Sequence, residues 1–310
     1  MAGLLAAVEA RLAEIAAGHG ARLAEHAGAT IAAGGKRLRP LLALVAAGAA
    51  PEAPAGLVRA AVAVELVHSA TLVHDDVLDA APLRRGRPTV WASAGRGAAT
   101  AAGDLLFAAA FSELARNGRA DEIRALSRAG SALAMGELLQ REDAWKADVS
   151  QERYLHRCEL KTARLFEAAC TLGVLEAGGS AGEAEALAGF GRRIGLAFQL
   201  LDDVLDVSGP AERTGKHRGT DLLDGTITLP LILARERSAA VAAVDLRMIV
   251  TPEQAGVLCD QVAETGALEA SREQALAVVG AAKGGLPDRG EPAQRRALEL
   301  IADSVVMRYS

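Results

Sequence analysis

Two strongly apolar stretches, VELVHSATLVHDD and IGLAFQLLDD, each run straight into the same acidic pentapeptide, DDVLD, at Asp75–Asp79 and Asp202–Asp206. A helix apolar on every side must be buried, and carboxylates at its end must meet water or a cation. Positions i and i+4 share a helix face, so Asp75 lies one turn from Asp79, and Asp202 one turn from Asp206. A single copy reads as a solvated acidic face. Two copies place both helix ends at the mouth of one cavity. Carboxylates at a helix C-terminus oppose the macrodipole, and a hard divalent cation compensates them. Mg2+ takes a few carboxylates together with waters and phosphate oxygens. The pattern points to metal-bridged phosphate, not a closed protein cage.

The rest of the chain repeats with a helical period. Aromatic residues are only 3% and alanine recurs throughout, which favours helix over strand. Leu4, Leu5, Val8, Leu12 and Ile15 form one stripe, ending near Gly18 and Gly20. Gly34-Gly35 precedes a segment with Pro40 in its first turn. Longer helices are expected from Leu57 to Asp79, Ala98 to Arg116, Asp121 to Glu142, Ser150 to Glu176 and Ala181 to Val207. Shorter ones follow Thr226, with breaks near Pro252, Gly285 and Pro292. No run alternates like a strand, and no linker isolates a second core. The expected architecture is all-α, a single-domain helical bundle over residues 1–310 around a central cavity.

A net charge of −5 gives no global field for nucleic acid. Cys158, Cys170 and Cys259 are odd in number and scattered, which fits a reducing, cytoplasmic compartment. The opening MAGLLAAVEARLAEIAA is too acidic for a targeting peptide, and the apolar run Leu41–Pro51 is about half a membrane span. A soluble protein with no integral membrane segment is expected.

An anionic ligand then needs local cations. GGKRLRP sets Lys36, Arg37 and Arg39 at a helix start, where backbone N–H groups add to the cradle. LRRGRPT places Arg84 and Arg85 just beyond Asp79. Lys161-Thr162 lies within an apolar helix, where an unpaired lysine is costly. Lys216 follows Gly215 in the loop after the second acidic segment. His68, seven residues before Asp75, shares its helix face; alone it reads as a core histidine. His74 faces elsewhere, and Trp91 and Trp145 read as packing anchors.

In the order GGKRLRP, VHDDVLD, LRRGRPT, ELKTARLF, FQLLDDVLD and TGKHRGTDLLDGTITLPL, the chain resembles the trans-isoprenyl diphosphate synthases, most of all the bacterial long-chain polyprenyl type. The resemblance runs from about Gly34 to Leu231, and weakly to the end through LELIADSVVMR. It implies the isoprenoid synthase fold and a homodimer. It also implies an enzyme in which Mg2+ held by Asp75, Asp79 and Asp202 binds an allylic diphosphate and stabilises its departure. Isopentenyl diphosphate then attacks the allylic cation head to tail, and proton loss leaves an allylic diphosphate longer by one unit. By the same resemblance, Lys36, Arg39, His68 and Arg85 hold isopentenyl diphosphate, and Arg84, Lys161 and Lys216 the allylic diphosphate. Thr162 and Gln199 turn oxygen dipoles toward the cation. Asp203 and Asp206 complete the second segment, with a less direct claim on metal. Released diphosphate is the expected proton acceptor.

Two departures stand out. Thr226 occupies a position where the family commonly has a second lysine, and Ala80-Ala81 is less polar than usual. Small Ala70, followed by Thr71, stands where bulky residues block the tunnel of short-chain members. Val67 and Ala63 continue that face, and at ~1.5 Å per residue Ala63 lies roughly 18 Å below Asp75. A product longer than four units is expected, although a floor near Leu106 and Phe107 would shorten it. The rivals are a class I terpene cyclase, which needs no isopentenyl diphosphate site, and a non-catalytic subunit of a heteromeric synthase, which Thr226 keeps in view.

Overall fold

The computed structural model describes residues 1–18, 28, 30–31, 37–48, 54–84, 86–209, 218–287 and 291–307. By packing, the chain forms two compact units. Unit 1 is Met1–Ser131, Leu165–Gly191 and Gly285–Ile301; unit 2 is Ala132–Arg164, Arg192–Gly284 and Ala302–Ser310.

Unit 1 is built on α3, Ala55–Leu78, which follows α1 (Ala2–Ala17) and α2 (Leu38–Ala46). Its residues Ala60 to Val67 are all buried, because the sequence there is apolar on every side except at Glu65. It packs along α4, Val90–Ala115, and against α1 and α2. Each fully buried leucine there, such as Leu57, Leu66 or Leu106, contributes about 2 kcal/mol. Charge pins the helix ends. Arg11 grips Glu113 through Nε at 2.9 Å and NH2 at 2.5 Å, tying α1 to α4. The Gln294 amide donates to the carbonyls of Val45 and Ala46, satisfying the end of α2.

The helix expected from Ala98 begins instead at Val90. Thr89 caps it, its hydroxyl accepting the Ala92 N–H at 3.1 Å. Gly95, at φ 82° and ψ 174°, breaks the stretch into two helical pieces, a geometry that side chains resist. The expectation of no strand also needs correction. Leu83–Arg84 and Arg87–Pro88, β1 and β2, pair as a minimal antiparallel hairpin. Two residues each are too short for an alternating pattern to show.

Helix α5, Ala120–Asp143, and helix α8, Ala181–Ser208, each contribute residues to both units. In unit 2, the helix expected from Ser150 to Glu176 is interrupted. Helix α6, Gln151–Cys158, passes into a π-helical turn, Glu159–Ala163, and then α7, Arg164–Glu176, lies in unit 1 except for Arg164. Tyr154, Ile194, Leu200, Leu229 and Leu258 form the buried core of unit 2. After the short α9 (Thr220–Leu223), α10 (Leu229–Arg237) packs on α12 (Pro252–Glu264) and α13 (Ala267–Gly284). Between them lies α11, Ala239–Ala242, and α14, Pro292–Met307, ends the chain's described part. The breaks expected at Pro252, Gly285 and Pro292 all fall at helix ends.

Among the described residues, two helices are long and apolar enough to cross a membrane by length and composition, α3 and α4. The most apolar window of α3 is 72% buried within the protein and that of α4 44%, so α3 is a core helix. The most apolar window of α4 is thus less than half buried.

Candidate active site

In unit 1, α3 delivers Asp75 in its last turn, half-buried, and Asp79 at the C-cap, exposed. The Asp79 N–H donates to the Asp75 carbonyl at 2.8 Å, so the helix stays wound to its acidic end. His68 is half-buried on the same helix, and its carbonyl accepts the Thr71 hydroxyl at 2.8 Å. Ala70, Val67 and Ala63 are fully buried. His74 stacks on Phe107 with ring centres 5.9 Å apart and sits 3.3 Å from Asp104, in keeping with a packing role.

Between the two carboxylates, Asp76 turns inward. It is buried and accepts Arg84 Nε at 2.7 Å, which fastens the hairpin to the end of α3. Arg84, expected at the allylic diphosphate, is thus held beside the acidic segment by a residue that the motif reading passed over. Its signal was present: Asp76 is one residue round the helix from Asp75, toward the apolar side, and a buried carboxylate needs a cation.

Arg39 lies in the first turn of α2, its guanidinium carbon 4.5 Å over the Phe166 ring. Its neighbour Arg37 is not part of that cradle. Arg37 donates to Glu9 and Glu65, each at 2.6 Å, and to the Ile31 carbonyl. Burial pushes the Glu65 carboxyl up, against the pull of Arg37 and Arg39. Lys36, Arg85 and Lys216 lie outside the described residues.

In unit 2 the π turn presents Lys161 and Thr162. A π turn adds a residue to one turn of helix and re-aims the side chains after it, a device found often at functional sites. It rests on Gly136 of α5: a Cβ there would stand 2.5 Å from the Lys161 backbone nitrogen. Lys161 is not bare but donates to Glu137 at 2.5 Å. Burial opposes ionisation of Glu137, yet Lys161 and then Arg141 hold its carboxyl below the usual range. The Thr162 hydroxyl donates to Gln199 Oε1 at 2.6 Å, and Gln199 Nε2 donates to Asp203 Oδ1 at 2.6 Å. Tyr154 donates to Asp203 Oδ2, also at 2.6 Å. Burial, and next the Asp221 carboxylate, push Asp203 up to about 8.

The second DDVLD is therefore divided in its duties. Asp203 is turned into the core, and Asp206 accepts the Asp221 N–H at 3.2 Å, supporting α9. Asp202 is half-buried on α8. Among the described residues no three His, Cys, Asp or Glu side chains converge as a closed metal cage. The donors present are carboxylate oxygens, which suit a hard cation that keeps waters and phosphate oxygens. Thr226, in place of the common lysine, donates its N–H to the Asp221 carbonyl at 2.8 Å. Trp145 packs against Gly225, as its reading as an anchor requires.

A polyprenyl synthetase family model matches residues 21–263. The chain is 40% identical over 270 residues to heptaprenyl diphosphate synthase component 2 of Geobacillus stearothermophilus, covering 86% of this chain and 84% of the relative. It is 36% identical over 282 residues to geranylgeranyl diphosphate synthase of Methanosarcina mazei, covering 89% and 86%. Among solved structures, polyprenyl synthase from Caulobacter crescentus CB15, complexed with calcium and isoprenyl diphosphate, matches with a TM-score of 0.88 and 36% identity, covering 100% of this chain and 95% of that one. The helices and the acidic segments they carry thus define an enzyme of prenyl transfer with the all-α isoprenoid synthase fold. This chain belongs to the polyprenyl synthetase family and resembles its bacterial long-chain members. Its substrates are prenyl diphosphates.

Proposed function

We propose that this enzyme condenses isopentenyl diphosphate with an allylic prenyl diphosphate in a magnesium-dependent, head-to-tail elongation, giving a product longer than four units. The observation carrying this reading is α3 itself: Asp75 and Asp79 at its end, and below them the small, fully buried Ala70, Val67 and Ala63. Magnesium at Asp75, Asp79 and Asp202 would supply Lewis acidity that neutralises the departing diphosphate. Arg84, Lys161 and Lys216 bind the allylic diphosphate, and Lys36, Arg39, His68 and Arg85 bind isopentenyl diphosphate. Glu137 fixes the Lys161 ammonium at the π turn, so its charge is oriented before substrate arrives. Thr162 and Gln199 offer oxygen to the allylic cation. The proton lost after carbon–carbon bond formation passes to diphosphate. The Caulobacter crescentus structure, complexed with calcium and isoprenyl diphosphate, supports a divalent cation in this reading.

The family match spans segments of both units, which supports a single polyprenyl-synthase-like domain over 1–310. The partly open α4, with Phe111 half-exposed, supports a homodimer. Three buried free cysteines fit the cytoplasm. No nucleic acid partner and no integral membrane segment enter this reading.

Mass spectrometry of products from the purified chain, magnesium, isopentenyl diphosphate and a panel of allylic starters tests it. Products stepped by one isoprene unit and exceeding four units are expected. Diphosphate release without isopentenyl diphosphate would favour a terpene cyclase. The heteromeric reading keeps one specific support, the word component in the name of the Geobacillus stearothermophilus relative. Absence of turnover by the chain alone, restored by a partner subunit, would favour it.

A further inference from the structure

A hydroxyl facing a cation must present lone pairs, yet a threonine hydroxyl can equally swing its proton toward the ligand. Within unit 2, three hydrogen bonds remove that freedom. Asp203 Oδ1 accepts from Gln199, whose amide NH2 points to it at 2.6 Å. That fixes Gln199 with Oε1 toward Thr162, which must then donate its one proton, at 2.6 Å. Tyr154 completes the chain by donating to Asp203 Oδ2 at 2.6 Å. Tyr154 and Asp203 are both buried in the core, so water does not compete for them. Reversing the Gln199 amide would set its oxygen against an oxygen of the Asp203 carboxylate and release the Thr162 proton.

We propose that Tyr154 and Asp203 are positioning residues for prenyl transfer, polarising Gln199 so that the Thr162 oxygen meets the allylic cation with lone pairs only. This rests on Thr162 facing the cation, as assigned above. It also gives the second aspartate of the DDVLD segment a duty separate from metal binding.

The test is a double-mutant cycle with Tyr154→Phe and Thr162→Val, read as kcat and KM for both substrates and as magnesium dependence. Tyr154→Phe keeps the ring and removes only the donor; thermal melting checks that it folds. It should lower kcat about tenfold, the effect of one hydrogen bond to a charged group, with both KM values and the magnesium midpoint unchanged. In a Thr162→Val background the same change should have less than about twofold further effect, because the oxygen it orients is gone. Thr162→Ser, which keeps the hydroxyl, should restore the sensitivity to Tyr154→Phe. Losses that multiply, or a Tyr154→Phe enzyme within twofold of wild type, would overturn the positioning role while leaving Thr162 in place. A Thr162→Val enzyme with unchanged kcat would overturn the underlying assignment and the proposal with it.

Discussion

Glu122 is wholly buried in unit 1, where the Asn117 amide donates to its Oε2 at 2.9 Å and to Glu176 Oε1 at 3.2 Å. Burial first, then the Glu176 carboxylate, push its carboxyl from 4.5 up to about 8. The folded chain therefore binds a proton that the unfolded chain has lost across that window. Stability from this proton is complete below about 4.5 and disappears as the pH rises toward about 8. Urea midpoints at pH 5, 7 and 9 should fall in that order, and Glu122→Gln should flatten the decline; an equal slope in the variant would refute the assignment. Ala70 offers a second test at this scale. Ala70→Phe should shift products to shorter chains while retaining turnover, and an unchanged chromatogram would remove α3 from the tunnel wall.

At the scale of elements, the π turn carries the most. Gly136→Ala drives a methyl into the Lys161 backbone, so the turn must shift. Displacement near 1 Å at a reacting group costs on the order of 100-fold, so kcat should fall by that order with helical circular dichroism preserved. Near-normal kcat would show that the turn tolerates displacement. This turn was invisible in the sequence, because the apolar period of ERYLHRCELKTARLF continues through it without a glycine or proline. By contrast, α3 was legible almost to its ends, since Pro54 and the DDVLD acids bracket it. The beginning of α4 was missed because Pro88 and the glycines of GRG mask the Thr89 cap. Among the candidate site residues, the acids and Lys161-Thr162 announce themselves by type and spacing. Tyr154 does not: a lone tyrosine on a core-facing helix gives no sign of what its hydroxyl touches.

For the whole molecule, light scattering of the purified protein should give twice the 31.9 kDa chain mass. A monomer with full turnover would refute the homodimer, and with it the role given to the open face of α4. Sequence made the all-α class plain through its scarcity of aromatic residues and its unbroken helical period. The hairpin Leu83–Arg84 with Arg87–Pro88 could not be read, since pairing so brief is set by the Arg84–Asp76 contact and not by pattern.

Only two tryptophans occur in the chain, and Trp145 lies with its indole across Gly225, one residue before Thr226. An indole's emission depends on what covers it, so in a Trp91→Phe protein the light from Trp145 alone becomes a built-in optical gauge. Titrated with inorganic diphosphate and magnesium, it would register displacement at Gly225 without a label or a product assay.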